Sequence, residues 1–99
     1  MGVAESVFTI KIDERLDLRF HRAFSRACEW AEGARSGGIE IDLAHTRKVN
    51  DSGLAMLIML HRRAGLSGNR IRLLNCRPEI RYRVLETGLG GHLAIQSAA

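Results

Sequence analysis

The stretch "KVNDSGLAMLIMLHRRAG", residues 48 to 65, decides the fold. Four small residues, Asn50, Asp51, Ser52 and Gly53, stand directly before seven uninterrupted apolar ones, Leu54 to Leu60. The first N–H groups of a helix lack partners inside it, so Asn, Asp and Ser collect there because their side chains accept those bonds. The positive end of the helix dipole favours Asp51, and it would equally welcome a phosphate on Ser52. Strong helix formers run from Leu54 to Ala64 and stop at Gly65, a natural C-terminal glycine position. The apolar residues exceed one stripe. Leu54, Leu57, Ile58 and His61 form the face expected against a sheet, which leaves Ala55, Met56, Met59 and Leu60 over. That surplus, rimmed by Arg62 and Arg63, is either covered by flanking helices or open as a docking patch, where Met side chains suit adaptable packing.

Upstream, "SVFTIKI" (Ser6 to Ile12) alternates with period two and reads as a half-buried strand. Asp13 to Asp17 is charged and turn-like. Leu18, Phe20, Phe24, Ala27, Cys28 and Ala31 then recur at helical steps, with Arg19, Arg22, Arg26 and Glu29 on the wet side and Gly33 at the end. "RSGG" (Arg35 to Gly38) is a loop, and "IEIDL" (Ile39 to Leu43) is a short strand. Downstream, "LSGN" (Leu66 to Asn69) carries turn signals, and "IRLLN" (Ile71 to Asn75) is another strand candidate. A third helix is expected over Pro78 to Thr87, opened by proline and closed by Gly88, and "HLAIQ" (His92 to Gln96) reads as a last strand. Strands alternating with helices imply an α/β fold: a small, mostly parallel or mixed sheet of four to five strands, with about three helices packed on one face.

Ninety-nine residues suit a single domain spanning 1 to 99. No apolar run approaches the roughly 20 residues that cross a bilayer, and the N-terminus lacks the layout of a secretion signal. A cytoplasmic protein without membrane insertion is therefore expected. Cys28 and Cys76 lie far apart without zinc-site spacing and read as buried thiols, so no metal is expected. Charge is uneven: residues 1 to 46 carry six basic and eight acidic groups, residues 47 to 99 nine basic and three acidic. Arg62, Arg63, Arg70, Arg72, Arg77, Arg81 and Arg83 offer either an electropositive surface or scattered solvated ion pairs. Only Tyr82 lies among them, too little for a stacking platform, so nucleic acid is not the expected partner. The four histidines are scattered, "GLGG" (Gly88 to Gly91) lacks the spacing and lysine of a phosphate loop, and no catalytic constellation or cofactor motif is visible. A non-enzymatic, protein-binding chain is the expectation.

"IEIDLAHTRKVNDSGLAMLIMLHRRAG", residues 39 to 65, resembles the signature of STAS domains, the fold of bacterial anti-sigma factor antagonists. In that family a strand ending in Asp-Leu leads to an edge strand, an Asp-Ser-Ser-Gly-Leu type motif and an apolar helix. The resemblance implies a partner-switching module of transcription regulation: a serine at the start of the central helix is phosphorylated by a kinase that is also the anti-sigma factor, and a phosphatase reverses it. It also implies alternatives, a response regulator with a kinase or phosphatase domain as partner, or a fixed subunit bound to the ATPase of an ABC-type transporter. Matching Gly53-Leu54 to the family's Gly-Leu sets Asn50 on the family's Asp, Asp51 on the acceptor serine and Ser52 on the second small residue. A carboxylate then carries about one fixed charge where phosphoserine carries about 1.5 to 2. In the other register Ser52 is the acceptor, at the cost of a one-residue deletion. The resemblance thus makes residues 50 to 53 the switch loop, with Ser52 the phosphorylation candidate, while the surplus apolar face read as a docking patch makes Met56, Met59, Leu60, Arg62 and Arg63 the partner-binding expectation.

Overall fold

A computed structural model describes residues 7–33, 37–65 and 70–98. In chain order they form β1 (Val7–Lys11), β2 (Arg15–Leu16), a 3-10 turn at Leu18–Phe20, α1 (His21–Gly33), β3 (Gly38–Asp42), β4 (Lys48–Val49), α2 (Asp51–Arg63), β5 (Arg70–Cys76), α3 (Pro78–Glu86), a 3-10 turn at Leu89–Gly91, and β6 (Ala94–Ser97). Ser6, residues 35 and 36 of the "RSGG" loop and the whole "LSGN" turn lie outside the described residues.

The main sheet has the order β1-β3-β5-β6 and every pair in it is parallel, so the mixed alternative is corrected. Each neighbouring pair is joined through a helix, which leaves no hairpin among the described residues to introduce an antiparallel strand. All three crossovers step the same way along the sheet, and the common right-handed connection puts their helices on one face. Burial agrees: Ile10, Ile12, Ile39, Ile41, Leu43, Ile71 and Leu73 are buried, while Thr9 and Lys11 are exposed and Glu40, Asp42 and Arg72 half-buried. On that wetter face Glu40 and Arg72, opposite each other in register, form an ion pair at 3.7 Å. Beside it, Asn75 Nδ2 donates to Asp42 Oδ1 at 3.1 Å and the Ala44 amide donates at 3.0 Å, in that order of effect holding the Asp42 carboxyl below its usual range. Asn75 does this from a left-handed backbone (φ 55) at the irregular end of β5, a conformation asparagine tolerates better than most residues.

A second, two-stranded parallel ribbon pairs β2 with β4, in register Arg15 to Lys48 and Leu16 to Val49. The charged segment 13 to 17, expected to be a turn, thus contains a strand, and Leu16 is wholly buried. Two residues are too few to show a period. Thr46, also wholly buried, supports the ribbon: its hydroxyl donates to the Asp13 carbonyl at 2.7 Å, and the amides of Arg47 and Lys48 both donate to the Glu14 carbonyl.

Cys28 and Cys76 are free and buried, as expected. Burial raises both thiols, Cys76 to about 11. Because the thiolate is the reactive form, both are expected to react with a thiol reagent in the native protein at least about 10³-fold more slowly than in denaturant, at the rate transient unfolding permits. Stoichiometric labelling under native conditions, followed spectrophotometrically, is the contrary result.

Candidate functional site

The first turn of α2 is built as its sequence requires. Asn50 is the N-cap in extended backbone, and its Oδ1 accepts from the Gly53 amide at 2.9 Å. The Asn50 amide donates to the Leu16 carbonyl at 3.3 Å, which ties the cap to β2. Asp51 occupies the first helical position with its side chain fully solvent-exposed. Ser52 is half-buried and Gly53 buried. Arg83, reaching over from α3, donates to the Val49 carbonyl at 3.0 Å through one nitrogen and to Asp51 Oδ1 at 3.1 Å through the other. The carboxylate at the helix start therefore has a cationic partner 32 residues away, which no local pattern reveals.

Gly53 is set by space. A Cβ on it would penetrate the Leu16 carbonyl oxygen and stand 2.9 Å from both the Leu16 carbonyl carbon and Val49 Cγ2. The backbone of β2 thus lies directly on the helix, and this contact fixes the rotation of α2 about its axis. The residues turned inward are Gly53, Met56, Leu57, Leu60 and Ala64. Leu54, Ile58 and His61, expected to lead the buried stripe, are only half-buried.

This corrects the docking expectation at two positions. Met56 is 4% exposed and Leu60 0%, so neither offers a surface anchor. Met59 remains half-buried beside exposed Arg62 and Arg63. With Ala55 and Ile58 these three line a shallow, mainly apolar groove on the outer side of α2. Arg63 also pairs with Glu32 of α1 at 2.7 Å, which braces the two helices. Gly65 follows the helix end as expected but for another reason: its φ is not positive, and an added Cβ would lie 2.7 Å from His61 Nδ1.

Leu18, expected on the apolar stripe of the first helix, lies instead before that helix and is turned to solvent. Leu18 is 63% exposed in the 3-10 turn that packs on α2, and Tyr82 is 67% exposed on α3. Arg15, Leu16, Asp17, Lys48, Val49, Asn50 and Arg83 enclose a depression of about 380 Å³. Asp17 is turned away toward Arg19, whose Nε donates to both carboxylate oxygens at 3.0 and 3.3 Å and holds the carboxyl below its usual range. Among the described residues no group of three or more His, Cys, Asp or Glu side chains is arranged to hold a metal ion, and no helix is long and apolar enough to cross a membrane.

A one-face parallel sheet with an open, capped turn at its central helix defines a small α/β domain whose exposed features surround one helix start. The family model described as "Mlab, STAS domain" matches residues 3–96, and the chain belongs to the STAS family. A STAS-domain containing protein of Pseudomonas aeruginosa (strain UCBPP-PA14) is 34% identical over 73 residues, covering 74% of this chain and 71% of that protein. The solved structure of the anti-sigma factor antagonist SpoIIAA in its unphosphorylated form superposes with a TM-score of 0.72 over all of this chain and 86% of that one; at 16% identity this likeness is one of fold.

Proposed function

We propose that this STAS domain is a non-enzymatic regulator that binds a protein partner through the start of α2 and the groove beside it, in the manner of an anti-sigma factor antagonist. The observation that carries the reading is the first turn of α2: Asp51 stands wholly in solvent on a helix whose inner side fills the core. The neighbouring groove at Ala55, Ile58 and Met59 adds apolar contact area.

We adopt the register without a deletion, which sets the helix cap Asn50 on the family's Asp; the close approach at Gly53 accounts for the family's glycine in either register. Asp51 then takes the acceptor position and supplies a constant charge, leaving half-buried Ser52 as the hydroxyl open to modification. The partner class is a serine kinase that doubles as an anti-sigma factor, with its phosphatase, or a response regulator. One observation favours a second reading as fixed subunit of an ABC-type transporter: a carboxylate at the exposed acceptor position needs no phosphorylation.

Affinity capture of the tagged protein from its native cell, with Met59→Glu as control and intact-mass mapping of the bait, tests both readings. A kinase or response regulator lost from the Met59→Glu variant, with any phosphate on Ser52, is the expected result. An ABC-type ATPase in its place moves the protein to the second reading. Phosphate outside residues 46 to 53, or capture unaffected by Met59→Glu, overturns the assignment of this surface.

A further inference from the structure

In the β2–β4 ribbon, Arg15 stands directly opposite Lys48, while the next pair, Leu16 and Val49, points into the core. Paired residues on adjacent strands project to the same side about 5 Å apart, and like charges so placed repel. Neither side chain makes a hydrogen bond or ion pair among the described residues, and both are exposed. Across the depression Arg83 supplies a third cation, held in place by the Val49 carbonyl. Among the described residues of the lining Asp17 is the single carboxylate; Arg19 bonds it, and the charge of Arg15 also bears on it. Three cations against one carboxylate leave the lining with a formal charge of +2.

We propose that this depression is an anion-binding pocket for a phosphate monoester. The charge of such a group, about −1.5 to −2 near neutral pH, matches the lining, and its oxygens can accept from a guanidinium and an ammonium together. A volume of about 380 Å³ lies at the small end of ligand pockets, which run from about 300 to 1,000 Å³. Among the described residues no aromatic ring lines it, and its apolar residues, Leu16 and Val49, are themselves buried, so a compact charged group fits better than a nucleobase or sugar ring. Asp51 acts here as a competitor: its exposed contact with Arg83 holds one cation that the anion would otherwise use. The pocket does not depend on which protein α2 binds. The same monoester can come from a free phosphorylated metabolite or from a phosphorylated side chain.

Titration of the ¹⁵N-labelled full chain with inorganic phosphate and with a phosphoserine peptide, at constant ionic strength, tests the proposal. Saturable shifts are expected at the amides of Leu16, Val49 and Asn50, together with a rise in melting temperature as phosphate is added. The Arg15→Gln/Lys48→Gln double variant is expected to bind at least about tenfold more weakly while melting no lower than wild type without phosphate, since it removes a repulsive pair. Asp51→Asn is expected to bind about two- to fivefold more tightly. A peptide much tighter than phosphate identifies a phosphorylated protein as the source, and equal affinities identify a free ester. Shifts that fail to saturate, or that persist unchanged in the double variant, overturn the pocket.

Discussion

Met56→Glu is expected to cost at least about 4 kcal/mol, enough to remove most of the stability of a chain this size. Met56 is 4% exposed in the core, so the substitution forfeits roughly 2 kcal/mol of apolar burial and strands a carboxyl where water cannot reach it. Desolvation would raise the folded-state pKa of the introduced carboxyl above its unfolded value. The penalty is therefore full above the folded-state pKa and shrinks as the pH falls toward the unfolded value. Met59→Glu, one helical step away on the groove side, is expected to stay within about 1 kcal/mol of wild type. Urea denaturation of the two variants at pH 7 and pH 5 measures the contrast. Similar stabilities for both would mean that α2 is rotated from the orientation described.

Gly53→Ala is expected to lower stability by about 2 to 3 kcal/mol, a fall in melting temperature of roughly 10 to 20 °C. Helix propensity alone predicts the opposite sign, a gain of about 1 kcal/mol. The clash should win because the obstructing atoms are the Leu16 backbone, which cannot rotate aside as a side-chain tip can. To admit a methyl group, β2 must retreat from α2, which strains the bond from the Asn50 amide to the Leu16 carbonyl and opens the ribbon beneath the first turn. Thermal melting and the amide spectrum of residues 15, 16, 48 and 49 report the two effects separately. A variant more stable than wild type would show that propensity dominates and that the close approach is relaxed in solution.

Both predictions depend on the rotational phase of α2, which the sequence left ambiguous. With Leu54 to Leu60 apolar all round, several phases bury a comparable area, and periodicity by itself favours Leu54, Ile58 and His61 over Met56 and Leu60. The phase was settled by one glycine against a strand 37 residues earlier. The element order, by contrast, was legible because each main strand and helix carries its own period: Ile39 and Ile41 alternate with Glu40 and Asp42, and Phe24, Ala27, Cys28 and Ala31 recur at helical steps. The ribbon was not legible, since Arg15–Leu16 and Lys48–Val49 are each too short to carry a pattern.

The candidate site divides in the same way. Asn50 as cap and Asp51 in the first turn follow from local rules, because Asn50 accepts from an amide three residues on and an acidic side chain in the first turn suits the positive end of the helix dipole. Arg83 on Asp51, Thr46 on the Asp13 carbonyl and the alignment of Arg15 with Lys48 join residues 32 to 33 positions apart. Hydrophobic periodicity and capping are properties of a few consecutive residues, so the sequence by itself determined the elements, their order and the start of the central helix. Which side of that helix meets solvent, and which charges stand around its mouth, depends on how separate elements pack, and only the tertiary structure decided it.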